Sequence, residues 1–383
     1  MESIYLNEEH VALRDQVARF IDKEVEPSGK AWETQGCVPR EVLRKMGELG
    51  FFGITYPVEY GGSEADAMSA LVVAEALSRS TFGGFVVTAL VHSDMASPHL
   101  VNAGSKAQLD RYLPGIIRGE AITAVAVTEP DAGSDVAGIR TRAVRDGNEW
   151  VLNGAKMFIT NGVHANLYFV AARTDVQAKG SRGISMFIVE KGLPGFRVGR
   201  ALDKTGWLCS DTAELVFEDC RVPAENLLGE ENAGFYAVMK NFQRERIAAG
   251  AMAVGNALTS LRLTIEYVKN RKAFGGVLFD KQVIRQRLAM LEAKTHAARQ
   301  FLYHCGWLAA QKRECVREVS MLKALTGELV NEVVYTCQQF HGGMGYMRES
   351  AIERQARDAR VLAIGGGATE VMLEEVAKRF GPD

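Results

Sequence analysis

The chain has few of the residues that mark special sites or compartments. Its 383 residues include six cysteines and nine prolines. No two cysteines form a C-x-x-C pair, which argues against zinc and iron–sulfur sites and favours a reducing compartment. No apolar stretch approaches the roughly 18 residues that a membrane span needs, and the N-terminus lacks the basic and apolar regions of a signal peptide. We therefore expect a cytoplasmic protein.

Several catalytic motifs are also missing. The sequence has no G-x-G-x-x-G, so a Rossmann-type nicotinamide or flavin site is unsupported, and no G-x-x-x-x-G-K phosphate loop. H-E-x-x-H and G-x-S-x-G are absent, which removes the usual signatures of metalloproteases and α/β-hydrolases and indicates no metal site. The 45 basic and 47 acidic residues give a net charge of -2. With no run of five like charges, nothing indicates a nucleic-acid partner.

The spacing of the apolar residues changes twice along the chain. In the first third it is helical, with Val17, Phe20 and Val25 on one face. Strand patterns then take over, separated by turns such as Asn153-Gly154, before long helical patterns return. The sequence therefore predicts a mainly α, α+β fold of three domains: an N-terminal helical domain (1–120), a middle β-barrel-like domain (121–230) and a C-terminal four-helix bundle (231–383).

The most informative segment is a polar, glycine-containing loop followed by a strand pattern. Thr128 and Ser134 offer hydroxyl groups, and Gly133 lets a backbone N–H approach a flat or anionic ligand closely. Phe158, in the strand pattern that ends at Thr160, can stack on an aromatic ring. A binding surface and a plain turn that caps a hairpin are both compatible with this composition.

One carboxylate interrupts an apolar helix face. Phe242, Glu245 and Ala249 follow one another at spacings of three and four, so Glu245 projects from the apolar stripe. Burial would raise the pKa of this carboxyl, whereas the adjacent Arg246 would favour the ionised form, so its proton affinity suits a general base. The alternative is a structural glutamate that pairs with Arg244 or Arg246.

The polar loop and its strand resemble the flavin-binding part of the acyl-CoA dehydrogenase family, and the likeness covers almost the whole chain. In this family a glutamate removes the α-proton of the substrate, and in most members it lies in a C-terminal loop that reads Tyr-Glu-Gly-Thr-Ser-Glu. Here Gly366 stands at that position. A smaller subgroup, which includes the isovaleryl-CoA and long-chain enzymes, carries its base on a helix, one residue before an arginine. Glu245 and Arg246 resemble that arrangement.

The resemblance implies FAD-dependent α,β-dehydrogenation of a fatty or branched acyl-CoA to a trans-2-enoyl-CoA, as in fatty acid β-oxidation. Glu245 would take the α-proton while the flavin N5 takes the β-hydride, and the backbone N–H of Gly366 would polarise the thioester carbonyl. Three alternatives stay open: a flavin oxidase or monooxygenase on the same scaffold, a flavoprotein repurposed by the glycine at 366, and a non-catalytic flavin-binding scaffold.

The resemblance also assigns residues to the cofactor. Those of the polar loop and its strand are Val127, Thr128, Gly133, Ser134, Phe158 and Thr160. Those that would reach the FAD of a neighbouring subunit, or its adenosine and AMP parts, are Arg271, Phe274, Gln282, Gln339, Phe340, Gly342, Gly343, Ala368, Thr369 and Glu370. Without the resemblance, Arg271 would be a solvated charge at a helix end and the glycines at 342 and 343 a helix C-cap. His341 is expected to pack.

For the acyl-CoA substrate, the resemblance assigns Ser134, Gln243, Arg244, Arg246 and Gly367. An arginine suits the 3′-phosphate of CoA, although a plain surface charge is equally compatible with position 244. The family habit further implies an electron-transferring flavoprotein as electron acceptor and a homotetramer built as a dimer of dimers. A base on the helix is typical of members that act on longer or branched acyl groups.

Overall fold

Seven α-helices make up the first third of the chain. The computed structural model describes residues 3–178 and 180–381. The helices are α1 (Glu8–Phe20), α2 (Gly29–Gln35), α3 (Arg40–Glu48), α4 (Ala67–Leu77), α5 (Gly83–Leu90), α6 (Pro98–Ala103) and α7 (Lys106–Ile117). Helices α1 and α5 each continue into a π-helical turn, Ile21–Val25 and Val91–Ala96 respectively.

Polar caps fix where the helices begin, and apolar faces fix how they pack. The Asn7 side chain accepts the His10 backbone N–H at 2.9 Å at the start of α1, and Ser105 caps α7 in the same way. Helix α4 is almost entirely buried, since it packs against α1 and against two long helices of the C-terminal region. At Gly255 in one of these helices, an added Cβ would lie 2.4 Å from Ser78 Cβ, so only glycine permits this close approach.

A single mixed sheet forms the middle region. Its strands are β1 (Thr123–Ala126), β2 (Arg142–Asp146), β3 (Glu149–Thr160), β4 (Leu167–Arg173), β5 (Ile184–Glu190), β6 (Phe196–Ala201), β7 (Thr212–Pro223) and β8 (Leu227–Leu228). The strand order is β6-β7-β3-β2-β4-β5-β8, with β1 pairing in parallel with β4. Among the described residues the two ends of this order, β6 and the two-residue β8, do not pair with each other, so the barrel-like middle domain predicted from the sequence is a sheet that does not close.

Strands β4 and β5 are buried on both faces, which explains their uninterrupted apolar sequences. In β4, Phe169 packs into the core shared with the helices, whereas Tyr168 and Val170 pack into a separate core with Trp150 and Phe217. The sheet is therefore attached to the helical part of the molecule through one face of these two strands.

Five α-helices and a small hairpin follow. They are α8 (Gly234–Asn270), β9 (Lys272–Ala273), β10 (Gly276–Val277), α9 (Gln282–Ala310), α10 (Val316–His341), α11 (Ala351–Ala359) and α12 (Thr369–Ala377). Helices α8, α9 and α10 pack together; α4 of the N-terminal region also packs on α8 and α9, while α11 and α12 pack on α10. No helix in the described residues is both long and apolar enough to cross a membrane.

A buried carboxylate on α11 connects the three regions. Asp358 accepts the backbone N–H of Gly83, at the start of α5, at 3.0 Å. It also accepts the backbone N–H of Trp207, in the segment before β7, at 2.6 Å. One side chain of the C-terminal region therefore satisfies backbone donors from both of the other regions.

Asp358→Ala should lower the free energy of unfolding by about 2–6 kcal/mol, because two part-buried N–H groups lose their acceptor and each costs about 1–3 kcal/mol. Urea unfolding followed by tryptophan fluorescence measures the change. Asp358→Asn keeps one acceptor oxygen and should lose less. Equal losses in the two variants would contradict this role.

Candidate active site

Glu245 lies inside the molecule on α8, with 9% of its surface exposed. Asn241, one turn earlier on the same helix, donates its side-chain N–H to Glu245 Oε1 at 3.0 Å. The same amide nitrogen donates to the Met95 carbonyl at 2.7 Å and lies 3.3 Å from His99 Nε2. Asn241 is not among the site residues predicted from the sequence, although its spacing of four from Glu245 places both side chains on one helix face.

Burial raises the pKa of Glu245 to about 8. The hydrogen bond from Asn241 and the positive charge of Arg246 both favour the ionised form, but they offset only part of the effect of burial. A carboxyl with this proton affinity exchanges its proton close to neutral pH, which is the range that a general base requires.

The two arginines beside Glu245 do not neutralise it. Arg244 forms its ion pair with Asp94, with Nη2 3.0 Å from Oδ1, and donates to Thr55 Oγ1 at 2.9 Å. These bonds attach α8 to the N-terminal helical region. In the part of the chain that the structure describes, Glu245 forms no ion pair, so the alternative of a structural glutamate paired with Arg244 or Arg246 is not supported.

A loop of three glycines separates α11 from α12. Gly366 and Gly367 have φ angles of +65° and +104°, which favour glycine. A Cβ added at Gly366 would meet only Lys323 Cε, at 3.9 Å. Among the described residues no acceptor binds the backbone N–H of Gly366, which leaves this donor available to a ligand.

The predicted flavin-contacting residues come together where β3 meets the polar loop. The Met157 backbone N–H donates to the Thr128 carbonyl at 2.9 Å. Phe158 follows with 67% of its surface exposed and a φ of +60°, at an irregularity in the pairing of β3 with β7. An exposed aromatic ring on a left-handed backbone is costly and points to function. Thr160 is half-buried on the same strand.

A buried ion pair that the sequence analysis missed fixes this loop. Lys156 Nζ lies 2.7 Å from Glu129 Oε1 and donates to the Val127 carbonyl at 2.9 Å. The Glu129 carboxylate also accepts the backbone N–H groups of Arg140 and Thr141, at 2.6 and 2.9 Å. Burial lowers the pKa of Lys156 to about 8, and attraction to Glu129 opposes the shift. This buried ion pair fixes the position of the polar loop relative to β3.

A second cluster lies at the shared end of α8 and α10. The rings of Tyr267 and His341 stack at 4.2 Å, and the Tyr267 hydroxyl donates to the His341 carbonyl at 3.2 Å. His341 is buried, as expected. This contact brings together the two groups of residues that were assigned to a neighbour's cofactor. Of these, Arg271, Gln282, Gln339, Gly342 and Gly343 are exposed, Phe340 is half-buried, and Phe274 is 87% exposed with a φ of +53°.

A third cluster is the start of α12, where Ala368, Thr369 and Glu370 lie. The Thr369 hydroxyl donates to Glu328 Oε1 at 2.8 Å, so within one chain it already has a partner. None of the hydrogen bonds among the described residues joins this cluster to the polar loop or to the end of α8. The assignment of all three clusters to one cofactor stays a prediction, as do those of Ser134, Gln243, Arg244, Arg246 and Gly367 to the substrate.

The polar loop has the donors and surfaces that a dinucleotide cofactor with a flat ring requires. The backbone N–H groups of Gly133 and Ser134 find no acceptor in the described residues, and a Cβ added at Gly133 would meet nothing within 4 Å. Such free N–H groups bind phosphate oxygens, and the exposed Phe158 ring offers a stacking surface. The residues present therefore fit FAD.

The raised pKa of Glu245 predicts a pH-dependent contribution to stability. The folded carboxyl keeps its proton up to about pH 8, whereas an unfolded glutamate loses it near 4.5. Because the folded state then binds more protons, the free energy of unfolding should fall as pH rises between these values. Glu245→Gln has no such proton, so urea unfolding of both proteins across this range should show the wild type losing stability relative to the variant.

Asn241→Ala provides a second check on the same group. Loss of its hydrogen bond removes a group that stabilises the carboxylate, so the pKa of Glu245 should rise further. The pH range over which stability falls relative to Glu245→Gln should then extend to a higher pH. A stability difference between wild type and Glu245→Gln that does not change with pH would contradict the assignment of this shift.

Comparisons with known proteins agree along the full length of the chain. Residues 7–120, 124–220 and 232–381 match the profiles described as acyl-CoA dehydrogenase, N-terminal, middle and C-terminal domain respectively. The chain is 42% identical to the mitochondrial long-chain specific acyl-CoA dehydrogenase of Mus musculus over 378 residues, 98% of this chain and 87% of that protein. It is 36% identical to the mitochondrial isovaleryl-CoA dehydrogenase of Pongo abelii over 381 residues, covering 99% and 90%.

A solved structure gives the same result for the fold. The crystal structure of an acyl-CoA dehydrogenase from Geobacillus kaustophilus superimposes with a TM-score of 0.95 at 41% sequence identity, and the match covers 100% of both chains. The chain therefore belongs to the acyl-CoA dehydrogenase family, and it is a flavoprotein oxidoreductase that uses FAD to dehydrogenate acyl-CoA.

Proposed function

We propose that Glu245 is the base that removes the α-proton of the acyl-CoA. The observation that carries this proposal is a buried carboxyl with no ion-pair partner in the described residues, whose pKa is raised to about 8 and which Asn241 holds by one hydrogen bond. A structural carboxylate in such a place would be neutralised by a cation. Glu245 instead has no such cation paired with it in the described residues, and its pKa lies close to neutral pH.

The glycine at 366 is compatible with this arrangement. A thioester α-proton is too weakly acidic for an unaided carboxylate, so the carbonyl oxygen needs a hydrogen-bond donor as negative charge develops on it. The unpaired backbone N–H of Gly366 supplies such a donor, and the absence of a side chain leaves space in the site. Glu245 and Gly366 would then act on the α-carbon and the carbonyl of the same thioester.

FAD supplies the oxidising equivalent when it is bound, since it accepts the β-hydrogen as a hydride. On this proposal, the polar loop and β3 hold one part of the cofactor through Thr128, Gly133, Ser134, Phe158 and Thr160. The exposed residues at the end of α8 and α10 would bind a part of the FAD of a second subunit.

We further infer a homotetramer built as a dimer of dimers, because exposed rings such as that of Phe274 gain a burial site only if another subunit covers them. An electron-transferring flavoprotein is the proposed electron acceptor. All six cysteines are unpaired, which supports a reducing compartment such as the cytoplasm. The helix position of the base favours longer or branched acyl groups as substrates.

Anaerobic titration of the holoenzyme with straight and branched acyl-CoAs tests the base directly. Wild type should lose its flavin absorbance with the preferred substrate and react slowly when air is admitted, whereas a flavin oxidase would reoxidise rapidly. Glu245→Gln should bind the same ligands but reduce its flavin about 10²–10⁴-fold more slowly, the usual loss when a general base is removed. If the flavin of Glu245→Gln is reduced as fast as that of the wild type, the proposal is wrong.

The double variant Glu245→Gln, Gly366→Glu tests whether the loop position can replace the base. The loop has room for a side chain, but a φ of +65° costs a non-glycine residue about 1–2 kcal/mol. We expect partial recovery of flavin reduction relative to Glu245→Gln. Gly366→Glu alone serves as the control for damage to the loop.

A further inference from the structure

Lys323 is a buried cation that the reaction described above does not use. It lies on α10 with 1% of its surface exposed. Its Nζ donates to the carbonyls of Leu362 and Gly367, at 2.7 and 2.9 Å. In the described part of the chain Lys323 has no ion-pair partner, and burial, assisted by the positive charge of Arg246, lowers its pKa to about 8. An apolar side chain in this place would be cheaper for stability.

The two carbonyls stand on either side of the glycine loop. Leu362 belongs to the 3-10 turn Arg360–Ala363, and Gly367 immediately precedes the N-cap of α12. Lys323 therefore fixes both ends of a four-residue segment that contains Gly366. Three consecutive glycines have large conformational freedom, so an anchor outside the loop restricts the geometries that this segment can adopt.

We propose that Lys323 is a positioning residue, whose ammonium holds the loop so that the unpaired N–H of Gly366 keeps a fixed direction toward the thioester carbonyl. This inference rests on the proposed function of Gly366 and deepens it. Lys323 is also close enough to Arg246 for the two positive charges to interact, and its Cε lies 3.9 Å from a Cβ added at Gly366. Negative charge developing beside Gly366 would therefore be favoured by a nearby cation.

The test compares Lys323→Met, which removes both hydrogen bonds, with Lys323→Gln, whose shorter neutral amide can keep only one. Val319→Ala is the matched control, since it creates a defect on the same helix at a fully buried residue one turn away. The first readout is hydrogen–deuterium exchange of the Ile364 and Gly365 amides, which donate to the Val361 carbonyl at 2.8 Å just before Gly366. The second is kcat and KM of the holoenzyme.

Lys323→Met should exchange both amides faster than wild type and lose about 10²-fold in kcat with little change in KM, because a donor displaced by about 1 Å costs about that much. Lys323→Gln should lie between Lys323→Met and wild type in both readouts. Val319→Ala should lower the unfolding midpoint without changing exchange of these amides or kcat.

Unchanged exchange in Lys323→Met would overturn the anchoring role, and faster exchange with an unchanged kcat would overturn the link to catalysis. If Lys323→Met does not fold, Lys323→Gln decides, and wild-type values in both readouts contradict the proposal. The exchange measurement uses the ligand-free protein. Its outcome is therefore distinct from a failure of Glu245→Gln to lose flavin reduction, which would overturn the proposed base instead.

Discussion

The burial of one ionisable carboxyl is the constraint on which the site depends. Glu245 lies on a 37-residue helix whose first third is attached to the N-terminal region by two polar contacts just before this residue, from Asn241 to the Met95 carbonyl and from Arg244 to Asp94. These bonds fix the position of the helix without neutralising the carboxyl. Because desolvation then controls its proton affinity, the same packing that builds the core also brings the pKa of the proposed base close to neutral pH.

The proposed donor to the thioester carbonyl is built from backbone. It is the N–H of Gly366, in a loop of three glycines, and backbone of this composition gains much of its order from its surroundings. Lys323 spans the loop from α10, while the Lys156–Glu129 pair performs a similar task for the polar loop near β3. In both places a buried lysine binds backbone carbonyls, so rigid elements fix the position of segments that we propose to bind ligands.

Local signals in the sequence were sufficient for the order of the three regions and for the burial of Glu245, because apolar spacing records burial and a charge within that spacing stands out. They were insufficient for bonds that depend on folding. Lys156 meets Glu129 across 27 residues, and Lys323 meets carbonyls 39 and 44 residues away. Every residue has a backbone carbonyl, so the residue type does not show which carbonyl will accept a hydrogen bond. Closure of the middle sheet is likewise not recorded in local spacing, and no closed barrel is found among the described residues.

The role of Glu245 as the base is best tested by a crystal structure of the holoenzyme with an unreactive acyl-CoA analogue. We expect a Glu245 carboxylate oxygen within about 3–3.5 Å of the α-carbon, the distance of a near-attack geometry, with the thioester oxygen accepting the N–H of Gly366. A thioester bound beyond contact of Glu245, or an α-carbon that faces another carboxylate, would contradict it.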